Sequence, residues 1–183
     1  MKITLVDQPS KVDPILIFES LVHYGETMIS KRLLKNIEIR VVVVKGLVRR
    51  DKIDADCVWE DINIRPREFT IRIDGDMGKK RTMLALAHEM VHVKQYALGQ
   101  LKDYLRDSSV CSWHNVIHSK NDGGYFTWPW EVEAHSMESE LYLGFNKIQK
   151  EKSYAKASNA KKAKPDSSCS AHTFVQKASR RVS

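Results

Sequence analysis

Residues 83–99, MLALAHEMVHVKQYALG, place two histidines and a glutamate inside an otherwise apolar stretch. Leu84, Ala87 and Val91 mark one apolar face, and Gly99 is a natural stop, so the pattern predicts a helix over residues 79–97. His88 and His92 are four apart. On a helix they share a face, one turn apart, and can close on a single cation. Neutral imidazole is a good ligand for zinc. Glu89 lies about 100° around the helix from His88. It is poorly placed to ligate in the same plane and well placed to touch a metal-bound water, which is the HExxH arrangement of two ligands and a general base. Such groups beside a buried region need partners to offset their desolvation. The fold must therefore bring another element to this helix.

The flanking segments indicate what that fold is. Residues 14–34 read as a first helix, with Asp13 as cap, Pro14 at the first helical position, and Ile15, Phe18, Leu21 and Val22 at helical spacing. His23 on this helix reads as structural. IEIRVVVV (37–44) is β-branched and ends near Gly46, CVWEDI (57–62) is a second strand candidate, and EFTIRID (68–74) alternates Phe69, Ile71 and Ile73 against Thr70 and Arg72. GDMG (75–78) is a turn. HN (114–115) and NDGG (121–124) predict irregular β-structure or a hairpin. A last helix starts at Pro129 and carries Trp130, Ala134, Met137, Leu141 and Phe145 on one apolar face. Helices segregated from short strands in this order predict an α+β fold with a small mixed sheet.

Two histidines leave a catalytic zinc one protein ligand short. The extension HExxHxxGxxH is absent: Gln95 and Leu98 occupy the positions of its glycine and third histidine. The last helix offers Glu131 and Glu133, each about 80° from the centre of its apolar face, on opposite flanks. Periodicity does not choose between them. His114 and His118 on the irregular segment are competing donors.

Over roughly residues 68–145 the chain resembles the zincin metallopeptidases, and within them the gluzincins. Their third ligand is a glutamate on a later helix, often in an ExxA pattern followed by a polar residue. Glu131-Val-Glu-Ala134-His135 matches, so the resemblance implies metal ligands His88, His92 and Glu131, with Glu89 as the base and His135 behind the ligand. His135 departs from the commoner Asp or Asn. The run PWEVEAH is also similar to small predicted metallopeptidases of phages and bacteria, which places the expected setting in a bacterial or phage-infected host cytoplasm. SprT-like DNA-associated proteases share HExxH with a third histidine and are the alternative. By resemblance, the peptide substrate adds to an edge strand preceding the HExxH helix, and EFTIRID is the candidate. An oxyanion donor is also needed; Tyr125, His114 and His118 are candidates. Trp113, Trp128 and Trp130 read as core or lid.

Charge divides the chain. Residues 147–183 hold ten Lys/Arg and two Asp/Glu, a net of +8, so residues 1–146 carry +7 − 8 = −1. The expected organisation is a zincin-like metallopeptidase domain over 1–146 and a basic tail over 147–183. That tail is too poor in large apolar residues to offset its ordering entropy, and it suits a weak nucleic-acid contact or simple solubilisation. The first thirteen residues have no apolar h-region, and no apolar run is long enough to span a bilayer, so neither a secretory signal nor a membrane partner is expected. Cys57, Cys111 and Cys169 form no CxxC pair, which fits reduced thiols better than a disulfide framework. The function these features imply is a zinc peptidase; a non-catalytic module of the same fold, binding DNA or a protein, is its rival.

Overall fold

The computed structural model describes residues 1–6, 10–104 and 107–162, with side chains described up to Ser158. It has mixed α+β architecture. Strands β1 (Lys2–Val6), β2 (Glu38–Val44), β3 (Ala55–Trp59) and β4 (Glu68–Asp74) form a four-stranded sheet in the order β1-β2-β4-β3. The first three of that order run parallel, and β3 joins the edge antiparallel to β4. Helices α1 (Pro14–Met28), α2 (Lys31–Leu34), α3 (Leu47–Asp51), α4 (Lys79–Leu98) and α5 (Pro129–Lys162) accompany it. A second sheet, antiparallel in the order β5-β6-β7, comprises β5 (Leu101–Tyr104), β6 (Asp107–Trp113) and β7 (Val116–Ser119).

Alternation in β2 and β4 decides which side of the larger sheet is covered. Ile39, Val41, Val43, Phe69, Ile71 and Ile73 are buried, whereas Glu38, Arg40 and Glu68 are exposed. The buried rows pack with Ile17, Leu21 and Tyr24 of α1, Met83, Leu86 and Met90 of α4, and Ala134, Leu141 and Phe145 of α5. Each such large side chain contributes about 1.5–3 kcal/mol when fully buried. α4 runs through this core: twelve of its twenty residues are buried, which is why its polar groups must find partners inside the protein. A smaller cluster of Leu101, Cys111 and Trp130 joins the second sheet to the start of α5.

Several expectations are corrected. The single helix over 14–34 breaks at Ile29, which is extended, and Ser30 caps a separate α2 by accepting from the Leu33 N–H at 3.4 Å. The break lets the chain turn towards β2. EFTIRID is not an edge strand: β4 pairs with β2 on one side and β3 on the other, and the free edge nearest α4 belongs to β3. β1 and α3 carry no sequence signal that was read. Of the two expectations for the segment around His114 and Asn115, the hairpin is the one found: both residues take positive φ, 48° and 66°, as a two-residue turn between β6 and β7 requires.

The chain divides into two compact units, Met1–Lys147 and Ile148–Ser183. Residues 148–162 of the second are helical, so this part of the basic stretch adopts more structure than its composition predicts. Cys169 and the end of that stretch lie outside the described residues. Among the described residues no helix is long and apolar enough to cross a membrane, and Cys57 and Cys111 are free thiols.

Candidate metal centre

The core buries the middle of α4, and with it His88, Glu89 and His92. α5 starts at Pro129 and drives Trp130 into the smaller core cluster, which fixes its first turn against α4. Glu131 is thereby buried and directed at the two histidines. His88 Nε2 lies 3.2 Å from His92 Nε2 and 3.2 Å from Glu131 Oε2, and His92 Nε2 lies 3.4 Å from the same oxygen. Tetrahedral ligands about 2.0–2.1 Å from a zinc ion stand about 3.3–3.4 Å apart, so this triangle has the right size for one.

Partners on the far side of each ring decide what the near side presents. His88 Nδ1 is 3.0 Å from Glu138 Oε2, an acceptor when ionised, so Nδ1 carries the proton. His92 Nδ1 is 2.8 Å from Gln95 Oε1. The amide of Gln95 cannot be reversed, because its nitrogen donates to Trp130 O at 2.9 Å and to Glu133 Oε2 at 2.8 Å. His92 Nδ1 must then be a donor as well. Each ring keeps its Nδ1 proton on the far side and turns Nε2 towards Glu131, where a neutral ring offers a lone pair. The donor set, two neutral imidazoles and a carboxylate, is one that suits zinc.

Electrostatics of the metal-free protein follow from this crowding. Burial raises Glu89 to about 7, against the pull of His92 and His88. Burial works the other way on His92, but hydrogen bonding to Glu131 and the charges of Glu89 and Glu131 outweigh it and raise that ring to about 9. Glu131 is pushed up by burial and pulled further down by the polar groups of His88, His92 and Tyr125 beside it, ending well below the usual carboxylate range. Metal-free His92 thus holds its second proton at pH 7, and a cation at Nε2 must displace it. We expect zinc binding at pH 7 to release about one proton from His92, and affinity to fall about tenfold per unit of acidification below pH 9 from this group alone. Titration calorimetry in buffers of different ionisation heat measures the count; no proton released at pH 7 would contradict it.

Glu89 opens into a cleft of about 270 Å³ together with His92 and Glu131. One wall is β3, through Ala55, Asp56 and Cys57; the others carry Lys120, Tyr125, Trp128 and Trp130. The Tyr125 side chain lies close enough to Glu131 to help hold that carboxyl low. Tyr125 leads a 3-10 turn, Tyr125–Thr127, whose Phe126 lies against His135 with ring centres 5.5 Å apart.

The remaining expected residues sort clearly. Glu133 faces away from the triangle and pairs with Lys94 at 2.8 Å. His114 sits in the hairpin turn, and His118 on β7 packs against Trp130; neither belongs to a group of converging donors among the described residues. His135 lies against His88, ring centres 4.6 Å apart and tilted by 53°, and approaches Glu138 at 3.4 Å. Glu138 and Gln95 were missed. Glu138 had a signal: it stands seven residues after Glu131, two turns along the same face. Gln95, three residues after His92, had only its burial in an apolar helix. A family model, a curated protein or a solved structure that matches this chain was found in none of the three comparisons.

Proposed function

We propose that the protein is a zinc-dependent peptidase with a zincin-like site of the gluzincin type. The observation that carries this reading is the convergence of two imidazole nitrogens and a carboxylate oxygen within 3.4 Å of one another, each ring anchored through its other nitrogen. His88, His92 and Glu131 would hold the ion. Zinc, when bound, lowers the pKa of water to about 7 and polarises a carbonyl oxygen.

The chain's own groups would do the rest. Glu89 stands beside the triangle with a carboxyl group already raised by burial, a value suited to accepting a proton from water at neutral pH and returning it to the leaving amine. The free edge of β3 would pair with the substrate main chain, which makes sequence-tolerant binding the expectation. Tyr125 lines the cleft beside Glu131 and supports an oxyanion-donor role; His114 and His118 do not line it. On this reading, protein purified without added metal should contain about one zinc per chain and cleave an unstructured protein such as casein. Chelation should stop cleavage and zinc should restore it. Chelator-insensitive cleavage would end the metallopeptidase reading.

A nucleic-acid contact, if present, belongs to the basic stretch. Removing residues 148–183 should leave zinc content unchanged and lower DNA affinity, which in the full chain should fall steeply with salt. DNA affinity that survives the truncation places the contact elsewhere.

A further inference from the structure

The cleft beside Glu89 is followed by a second hollow along the same two elements. The first takes Ala55, Asp56 and Cys57 from β3 and Glu89 and His92 from α4; the second, of about 310 Å³, takes Trp59 from β3, and Tyr96 and Leu101 line both. Along α4 the step from His92 to Tyr96 is one turn, about 6 Å. Along β3 the step from Cys57 to Trp59 is two residues, about 6.5–7 Å. Same-side side chains of an extended peptide recur at that interval too. A peptide laid on the free edge of β3 with one side chain beside Glu89 therefore presents the side chain two residues on to the second hollow.

The lining says what that side chain is. Besides Trp59, Tyr96 and Leu101 the hollow is walled by Tyr104 and by Ile62 and Ile64, from the loop after β3. Its one carboxylate is occupied: Asp103 accepts from the Trp59 indole N–H at 3.4 Å, the Tyr96 hydroxyl at 2.5 Å and Lys120 at 2.8 Å. Trp59 and Tyr96 are thereby left with carbon to offer. The loop is tied at its base, where Asp61 accepts from the Arg67 N–H at 3.1 Å and the Glu60 N–H donates to Glu68 O at 2.8 Å. It nonetheless holds Ile62 and Ile64 88% and 79% exposed at the rim. Covering such side chains with another apolar group is favourable, by about 25 cal/mol for each Å² removed from water.

We propose that this hollow is a specificity subsite that takes a large apolar side chain of the peptide, two residues along from the one seated beside Glu89. Leucine, isoleucine and phenylalanine are the expected occupants. The inference rests on the peptidase reading for the identity of the ligand as a peptide.

Binding to the zinc-loaded Glu89→Gln protein tests it without turnover. Casein fragments that the protein retains are remade with alanine in place of each large apolar residue in turn. We expect one position to weaken binding about tenfold or more. Digestion of the same fragments by the wild type should place it two or three residues from the cut bond, always on the same side. Ile62→Ser together with Ile64→Ser, in the Glu89→Gln background, should shrink the loss at that position to under threefold. Both isoleucines are exposed, so zinc content and melting temperature should stay as they were, which separates a lost contact from a damaged fold. Retention of no fragment, the absence of a sensitive position, its occurrence elsewhere relative to the cut, or full sensitivity in the double variant overturns the proposal. Fragments bound with the expected discrimination but never cut by the wild type would instead end the peptidase reading and leave the subsite standing.

Discussion

Replacing Glu89 by Gln should abolish hydrolysis while leaving zinc content and fold intact. The substitution keeps the shape of a residue that is 6% exposed and removes only its capacity to take a proton. Positioned general bases contribute about 10²–10⁴-fold, so kcat should fall by that factor or below detection. The three proposed ligands are untouched, so metal analysis should return the wild-type value. Tyr125→Phe is the informative contrast. It removes a phenol that lines the cleft beside Glu131, and losing the proposed oxyanion donor should cost about 10²–10³-fold, with the base still in place. Equal activity of wild type and Glu89→Gln would show that Glu89 is not the base.

The second large effect is on metal affinity, and it separates three carboxylates on one helix. Glu131→Gln should weaken zinc binding well beyond 100-fold, because it removes a charge and a donor from a triangle that offers only three. Glu138→Gln removes the acceptor behind His88 and should cost about 10–100-fold, the usual range for outer partners. Glu133→Gln breaks the pair with Lys94 and one bond to Gln95, and should act chiefly on stability, by about 1 kcal/mol. Competition against a chelating dye ranks all three. If Glu133→Gln loses the most, the assignment along this helix is wrong.

The same residues show what the sequence could express. The extent of α4, the start of α5 at Pro129 and the alternation of β4 were legible because each follows from local chemistry: a left-handed glycine cap, a fixed proline φ, a two-residue period. Strand order was not. β4 directly precedes the HExxH helix and by resemblance read as the edge that would meet a substrate, yet β3 pairs outside it; nothing within either strand records who its neighbour is. The choice between Glu131 and Glu133 was likewise open by periodicity, since both flank the apolar face. The ExxA pattern favoured Glu131; that Glu131 rather than Glu133 faces the histidines depends on where Trp130 is buried and on Lys94 lying next to Glu133, both long-range facts. Gln95 was noticed only for the glycine it replaces, and its use as the partner of His92 depends on Trp130 O, 35 residues away.

That hydrogen bond from Gln95 to Trp130 has a thermodynamic meaning. The amide that sets the proton on His92 is itself oriented by the backbone of the residue preceding Glu131. Protonation state of one proposed ligand and arrival of another are therefore a single event, completed only when the amino end of α5 reaches α4. An unfolded or partly undocked chain offers zinc scattered imidazoles with no preferred tautomer. The ion would act as a latch between His88 and Glu131, 43 residues apart, and its removal should lower the melting temperature and loosen the start of α5 in hydrogen exchange before it disturbs the parallel strands.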